Sequence, residues 1–172
     1  MEWLTQLQDQ VVGLDTAPLI YFVEENLTYL KLVDAFFSAF DRGDFQIVTS
    51  TITLLEVLVQ PLRTGNTSLA GQYRDILLNQ DRLSVVSVSP EIAEISAMLR
   101  ANYALRTPDS IQLATAINRG ASSFLTNDRR LSAPFSPFPS SYCLLPRFLP
   151  FLLVAMAEEW GWCVAGGGCG FG

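Results

Sequence analysis

The sequence predicts an α/β fold, a three-layer α/β/α sandwich built on a mostly parallel sheet of about five strands. Three observations carry that expectation. Short apolar runs alternate with amphipathic stretches of about ten residues or more, the rhythm of parallel strands joined by helical crossovers. A helix-start signature appears twice, in Ser89-Pro90-Glu91 and Thr107-Pro108-Asp109. Two acids, Asp15 and Asp128, fall just after apolar strand candidates, at the carboxyl edge where such sheets hold their ligands.

The elements follow in order. Val11 to Asp15 is an apolar run ending at an acid, a buried strand. Thr16-Ala17-Pro18 opens a helix, with proline in the first turn where its missing N–H costs least. From Glu25 to Phe40, apolar residues recur at three- and four-residue steps, giving a helix with one wide buried face that Arg42-Gly43-Asp44 stops. Phe45 to Thr49 is a second strand. Thr51 to Gln60 reads as a helix ended by Pro61, and a further helix runs from about Leu69 to Asn79. Leu83 to Val88 is β-branched and forms a third strand. Ser89 caps a helix to about Tyr103, and Thr107 caps another to about Arg119. Ser122 to Thr126 is a fourth strand, with Asn127-Asp128 as a turn.

The composition changes after Leu131. Five of the nine prolines fall between Pro134 and Pro150, and six of the eleven glycines between Gly161 and Gly172. Tyr142 to Leu145 can supply a last edge strand, so the domain is expected over residues 1–145. Residues 146–172, apolar and then rich in Gly and Cys, are expected to form a poorly ordered tail.

Composition then narrows the chemistry. None of the 172 residues is histidine, which excludes imidazole bases, Ser-His-Asp and Cys-His nucleophile systems and histidine-based zinc sites. Seventeen acids against eleven bases give a net charge of −6, so the chain does not hold nucleic acid mainly through a basic surface. A cation bound among acids would reverse the field locally. All three cysteines, Cys143, Cys163 and Cys169, lie near the end, which is no disulfide framework and suggests a reducing compartment. The N-terminal segment has neither the basic start nor the long apolar core of a signal peptide, and the apolar run from Phe148 to Ala157 is about half a bilayer span. A cytoplasmic protein with no membrane contact is expected.

Four acids stand out together. Asp15, Asp109 and Asp128 each have an ordinary reading alone, as charges at helix starts or in a turn. Glu56 does not, because it is the only charge between Thr51 and Gln60 and needs a partner, an arginine or a metal. All four lie near a helix start or strand end of a parallel sheet and can meet in one crevice. Oxygen-only ligands suit Mg²⁺ or Mn²⁺, which would relieve the repulsion between them.

The same residues resemble a known family. Gly13-Leu14-Asp15-Thr16, Ser50-Thr51-Ile52-Thr53-Leu54-Leu55-Glu56-Val57, Pro108-Asp109-Ser110-Ile111-Gln112-Leu113-Ala114-Thr115-Ala116 and Phe124-Leu125-Thr126-Asn127-Asp128-Arg129-Arg130-Leu131 match, in order and spacing, the PIN-domain ribonucleases. The likeness is closest to the VapC-like toxins of toxin–antitoxin pairs and covers about residues 11–131. It implies a metal-dependent endoribonuclease that hydrolyses RNA phosphodiester bonds with water activated by one or two Mg²⁺ or Mn²⁺ ions. Asp15, Glu56, Asp109 and Asp128 would take the family's acidic positions as catalytic and metal-binding residues, with Thr16 and Thr126 supporting them. Arg63, Arg106, Arg129 and Arg130 are candidates for phosphate contacts. A cognate small antitoxin and a homodimer follow by the same resemblance. Two alternatives remain open at this point: a PIN-like module that binds RNA or a partner without cleavage, and a Mg²⁺-binding receiver-like signalling domain. The second also needs a lysine near its last strand, and the only lysine is Lys31, in an early helix.

Overall fold

The computed structural model describes residues 2–128, 131 and 152–155. Its sheet contains β1 (Val11–Leu14), β2 (Gln46–Ser50), β3 (Leu83–Val86), β4 (Ser123–Thr126) and β5 (Leu152–Ala155). They lie in the order β3-β2-β1-β4-β5, every pairing parallel. The helices are α1 (Glu2–Thr5), α2 (Thr16–Val23), α3 (Leu30–Arg42), α4 (Thr51–Thr64), α5 (Thr67–Leu78), α6 (Pro90–Tyr103) and α7 (Thr107–Asn118). The chain builds outward from β1 through β2 to β3, then returns to the other side of β1 for β4. Strand order therefore reverses at β1, which makes its carboxyl end the natural ligand crevice.

Alternation along the strands divides the core into two layers. Val12, Leu14, Ile47, Leu83 and Leu125 face Val33, Phe36 and Phe37 of α3, Val57 of α4, and Tyr73 and Leu77 of α5. Val48, Val86 and Phe124 face Ile92 and Leu99 of α6 and Leu113, Ala116 and Ile117 of α7. Burial on both faces is why the strands read as continuous apolar runs. The expected three-layer architecture is present. Among the described residues no helix is long and apolar enough to cross a membrane.

Several boundaries differ from expectation. α4 does not stop at Pro61 but runs through it to Thr64, ending at Gly65 with φ of +71°. Pro61 is buried, so packing carries the helix across the one backbone bond that proline cannot donate. The helix expected from Glu25 begins only at Leu30, because Glu25 adopts a φ of +50° and the Asn26 side chain accepts from Thr28 N at 3.1 Å. Leu27, which began the apolar periodicity, is 92% exposed. Thr107 is the first residue of α7 rather than its cap; Arg106 occupies the cap position and makes no side-chain cap bond. α1 was not anticipated; its Trp3 ring stacks on Phe36. The edge strand expected at Tyr142–Leu145 lies outside the described residues. β5, Leu152–Ala155, comes from the apolar run past residue 145, where the domain was expected to end, and pairs with β4.

The two halves of the site meet through one close contact. A Cβ added at Gly13 would stand 2.5 Å from Phe124 Cδ2 and 2.6 Å from Ala116 Cβ, so α7 can lie against β1 only over a residue without a side chain. The first turn of α7 is fixed as well: the Ser110 hydroxyl donates to Thr107 O at 2.9 Å and pairs with Ser96 of α6 at 2.8 Å, both serines buried. Gly13→Ala is expected to destabilise the protein by about 1–3 kcal/mol through overpacking, measured by urea denaturation.

Candidate active site

Asp15 is the first residue beyond β1 and caps α2. Its Oδ1 accepts from Thr16 N at 2.7 Å, and its Oδ2 accepts from Thr126 Oγ1 at 2.5 Å. Thr126 ends β4, is fully buried, and also accepts from Asp128 N at 3.0 Å. One hydroxyl thus ties the acid after β1 to the acid after β4. Burial pushes the Asp15 carboxyl up to about 6; hydrogen bonds from Thr126 and Thr16 oppose that, and the charges of Asp109 and Glu56 add to it.

Glu56 reaches the same edge from the second turn of α4. The partner its apolar surroundings demand is neither an arginine nor another acid but two neutral donors, Thr16 Oγ1 and Gln112 Nε2, the latter at 2.9 Å. Gln112 Nε2 also reaches Thr16 Oγ1 at 2.7 Å. Behind them, Thr49 Oγ1 donates to Leu14 O at 2.9 Å and pairs with Thr53 Oγ1 at 2.7 Å. Each hydroxyl has one proton, which fixes the directions: Thr49 to Leu14, Thr53 to Thr49, Thr16 to Glu56. Both Gln112 protons then serve Glu56 and Thr16, and its Oε1 is left buried without a partner.

Asp109 lies in the first turn of α7, three residues before Gln112 on the same helix face. Its carboxylate takes a fork from Arg106, Nε at 2.8 Å and Nη2 at 3.3 Å. Arg106 Nη2 also stands 3.6 Å from Asp128 Oδ2. Arg106, expected on phosphate, is therefore a partner of two of the acids. Arg63 is exposed in the last turn of α4, two turns beyond Glu56, and Arg129 and Arg130 lie outside the described residues.

The structure thus brings all four acids to the carboxyl edge around the switch point, with Thr16 and Thr126 against them. Gln112, Thr53 and Arg106 complete the arrangement, in roles the sequence reading missed. The available signal was spacing: Thr53 precedes Glu56 by three residues and Gln112 follows Asp109 by three, each pair on one helix face. An open groove of about 710 Å³ over β2 and β3, lined among others by Gln46, Ser84, Val86 and Arg119, contains none of these residues.

Carboxylates alone make a donor set for a hard divalent cation. Asp15, whose proton is held mainly by burial and to a lesser degree by the charges of Asp109 and Glu56, is a carboxyl that such an ion would re-ionise, so the donor chemistry fits. Among the described residues, however, no three acids are grouped closely enough to share one ion. Arg106 already stands between two of them.

A family model for the PIN domain matches residues 12–134. The chain belongs to the PIN-domain family. That match sets aside the receiver-like alternative. Solved structures agree on the fold of this PIN domain. A toxin–antitoxin complex from Klebsiella pneumoniae aligns with a TM-score of 0.55 and 25% identity, over 73% of this chain and 92% of the other. VapC20 of Mycobacterium tuberculosis, a toxin that cleaves the sarcin-ricin loop, aligns at 0.57 with 13% identity, over 75% and 99%. VapBC2 from Rickettsia felis, bound to a DNA fragment from its promoter, aligns at 0.54 with 18% identity, over 71% and 91%. A comparison with curated proteins returned no match.

Two expectations follow. A carboxyl whose proton is held more tightly in the folded state stabilises the fold when protonated, and that contribution is lost as pH rises from the ordinary value of 3.8 to about 6. Without divalent ions, wild type should lose about 2 kcal/mol relative to Asp15→Asn between about pH 4 and about pH 7, read by urea denaturation. Gln112→Ala removes the donor to Glu56 and Thr16 and is expected to cost about 1–3 kcal/mol in the same assay.

Proposed function

We propose that this PIN-domain protein is a metal-dependent endoribonuclease and the toxin of a toxin–antitoxin pair. The observation that supports this most is the convergence of Asp15, Glu56, Asp109 and Asp128 on the edge where strand order reverses, within the span matched by the PIN family. The substrate is RNA, and Mg²⁺ or Mn²⁺, as one or two ions, is the cofactor. Asp15, Asp109 and Asp128 would hold it, directly or through water, while Glu56 would hold a second ion or orient the attacking water. Such an ion, when bound, would polarise a phosphate oxygen and make water easier to deprotonate.

The chain's own residues set the geometry. Thr16 N and Thr126 fix both oxygens of Asp15, and Gln112 with Thr16 aims the Glu56 carboxylate along the same edge. In-line attack of water on phosphorus then expels the 3′ oxygen of the sugar, leaving 5′-phosphate and 3′-hydroxyl ends. Histidine is not needed at any step.

A partner is supported by the surface beside the site. Leu55, Val59 and Leu62 form an apolar stripe along α4 and are 59%, 45% and 61% exposed, next to Glu56. A stripe at that spacing suits the apolar face of a partner segment, here a small antitoxin of the kind that accompanies the toxins in the Klebsiella and Rickettsia complexes. A homodimer and a cytoplasmic location belong to the same proposal, with the nuclease domain over residues 1–145 extended to include β5.

With Mg²⁺, the purified protein should cleave structured RNA. Asp15→Asn, Asp109→Asn or chelation should lower the rate about 100-fold or more while circular dichroism shows the fold intact. Undiminished cleavage in EDTA, or 2′,3′-cyclic phosphate ends, would overturn the reading.

A further inference from the structure

We propose that Arg106 is a built-in counter-cation of the acidic edge: it bridges Asp109 and Asp128 in the absence of metal and is displaced when a divalent ion binds there. The inference rests on the metal-dependent reading given above. Its geometric basis is the forked contact to Asp109, at 2.8 and 3.3 Å, and the 3.6 Å approach to Asp128. One guanidinium therefore meets two carboxylates that sequence spacing separates by nineteen positions. A bridging cation would take the same place.

Exposure shows which partner can leave. The Asp109 and Asp128 side chains are 16% and 20% exposed, whereas that of Arg106 is 63% exposed. Asp109 is carried by a helix turn held through Ser110 and Ser96, and the Asp128 backbone donates to buried Thr126. The acids are fixed and the guanidinium comes from the solvent side, so of the three groups it is the one that can swing out toward water. Arg106 caps α7 through its backbone position only and makes no side-chain cap bond, so its departure leaves the helix start intact.

The size of the effect follows from competition. An ion pair this exposed is weak, and an arginine in place about five times out of six lowers the apparent metal affinity about sixfold. Holding positive charge between Asp109 and Asp128 in the interim is the corresponding benefit, since like charges on the two carboxylates repel.

The test is Mn²⁺ binding to the full chain, measured by calorimetry for wild type, Arg106→Gln and Arg106→Lys. Arg106→Gln should bind Mn²⁺ about three- to tenfold more tightly, and its melting temperature should be lower without metal and rise further on Mn²⁺ addition than that of wild type. Arg106→Lys, which keeps the charge without the fork, should fall between them. In wild type, the Arg106 Nε–H resonance should lose its hydrogen-bonded shift as diamagnetic Mg²⁺ is added, a readout that survives even if a variant folds poorly. Equal or weaker Mn²⁺ binding by Arg106→Gln, or an Nε–H signal unmoved by Mg²⁺, overturns the proposal while leaving the metal site standing. If neither wild type nor Arg106→Gln binds Mn²⁺, the metal reading itself fails, and this proposal with it.

Discussion

Four carboxylates gathered at one edge of a parallel sheet repel one another, and most of what surrounds them answers that repulsion. Asp15 is buried deeply enough to hold its proton up to about 6. Glu56 is met by two neutral donors, and Asp109 and Asp128 share one guanidinium. Each device is partial. Neutral donors soften a charge without cancelling it, and an exposed arginine cancels it only weakly. Under the proposed function, a small divalent ion would answer the same repulsion with a full charge.

The fold supplies the crowding. Reversal of strand order at β1 places the carboxyl ends of β1 and β4 side by side, so Asp15 and Thr126 meet although 111 positions separate them. Gly13 lets α7 press against β1, which brings Asp109 and Gln112 to the same edge from the opposite layer. α4 delivers Glu56 from the other layer, and the hydroxyls of Thr49 and Thr53 fill the space behind it. Packing between layers and chemistry at the edge therefore depend on the same few positions.

Much of this was legible in the sequence because it is local. Strands β1 to β4 follow from apolar runs, α6 from its Ser-Pro cap, and the four acids from their places after strands or early in helices. What was illegible depended on long-range partners. Gln112 sits in an apolar helix pattern with nothing nearby to show that Glu56, 56 positions away, would claim its amide. Arg106 resembles any surface arginine until α7 and the end of β4 are placed together. Pro61 signals a helix end by local rules, and only its burial carries α4 past it. Leu152–Ala155 lies in an apolar run that follows a proline-rich stretch, and nothing local marks it as the partner of β4. The metal-binding role proposed for the acids rests on the chemistry of the donors and not on their spacing.

That step can be tested through the proton Asp15 must give up. With its carboxyl near 6, about half of the molecules carry that proton at about pH 6, and an ion bound to Asp15 must expel it. Calorimetric titration of Mn²⁺ into the protein at about pH 6, in two buffers of different ionisation enthalpy, counts the protons released. The account predicts about half a proton per site at that pH, vanishing toward about pH 8. Mn²⁺ binding with no proton released near pH 6 would contradict it.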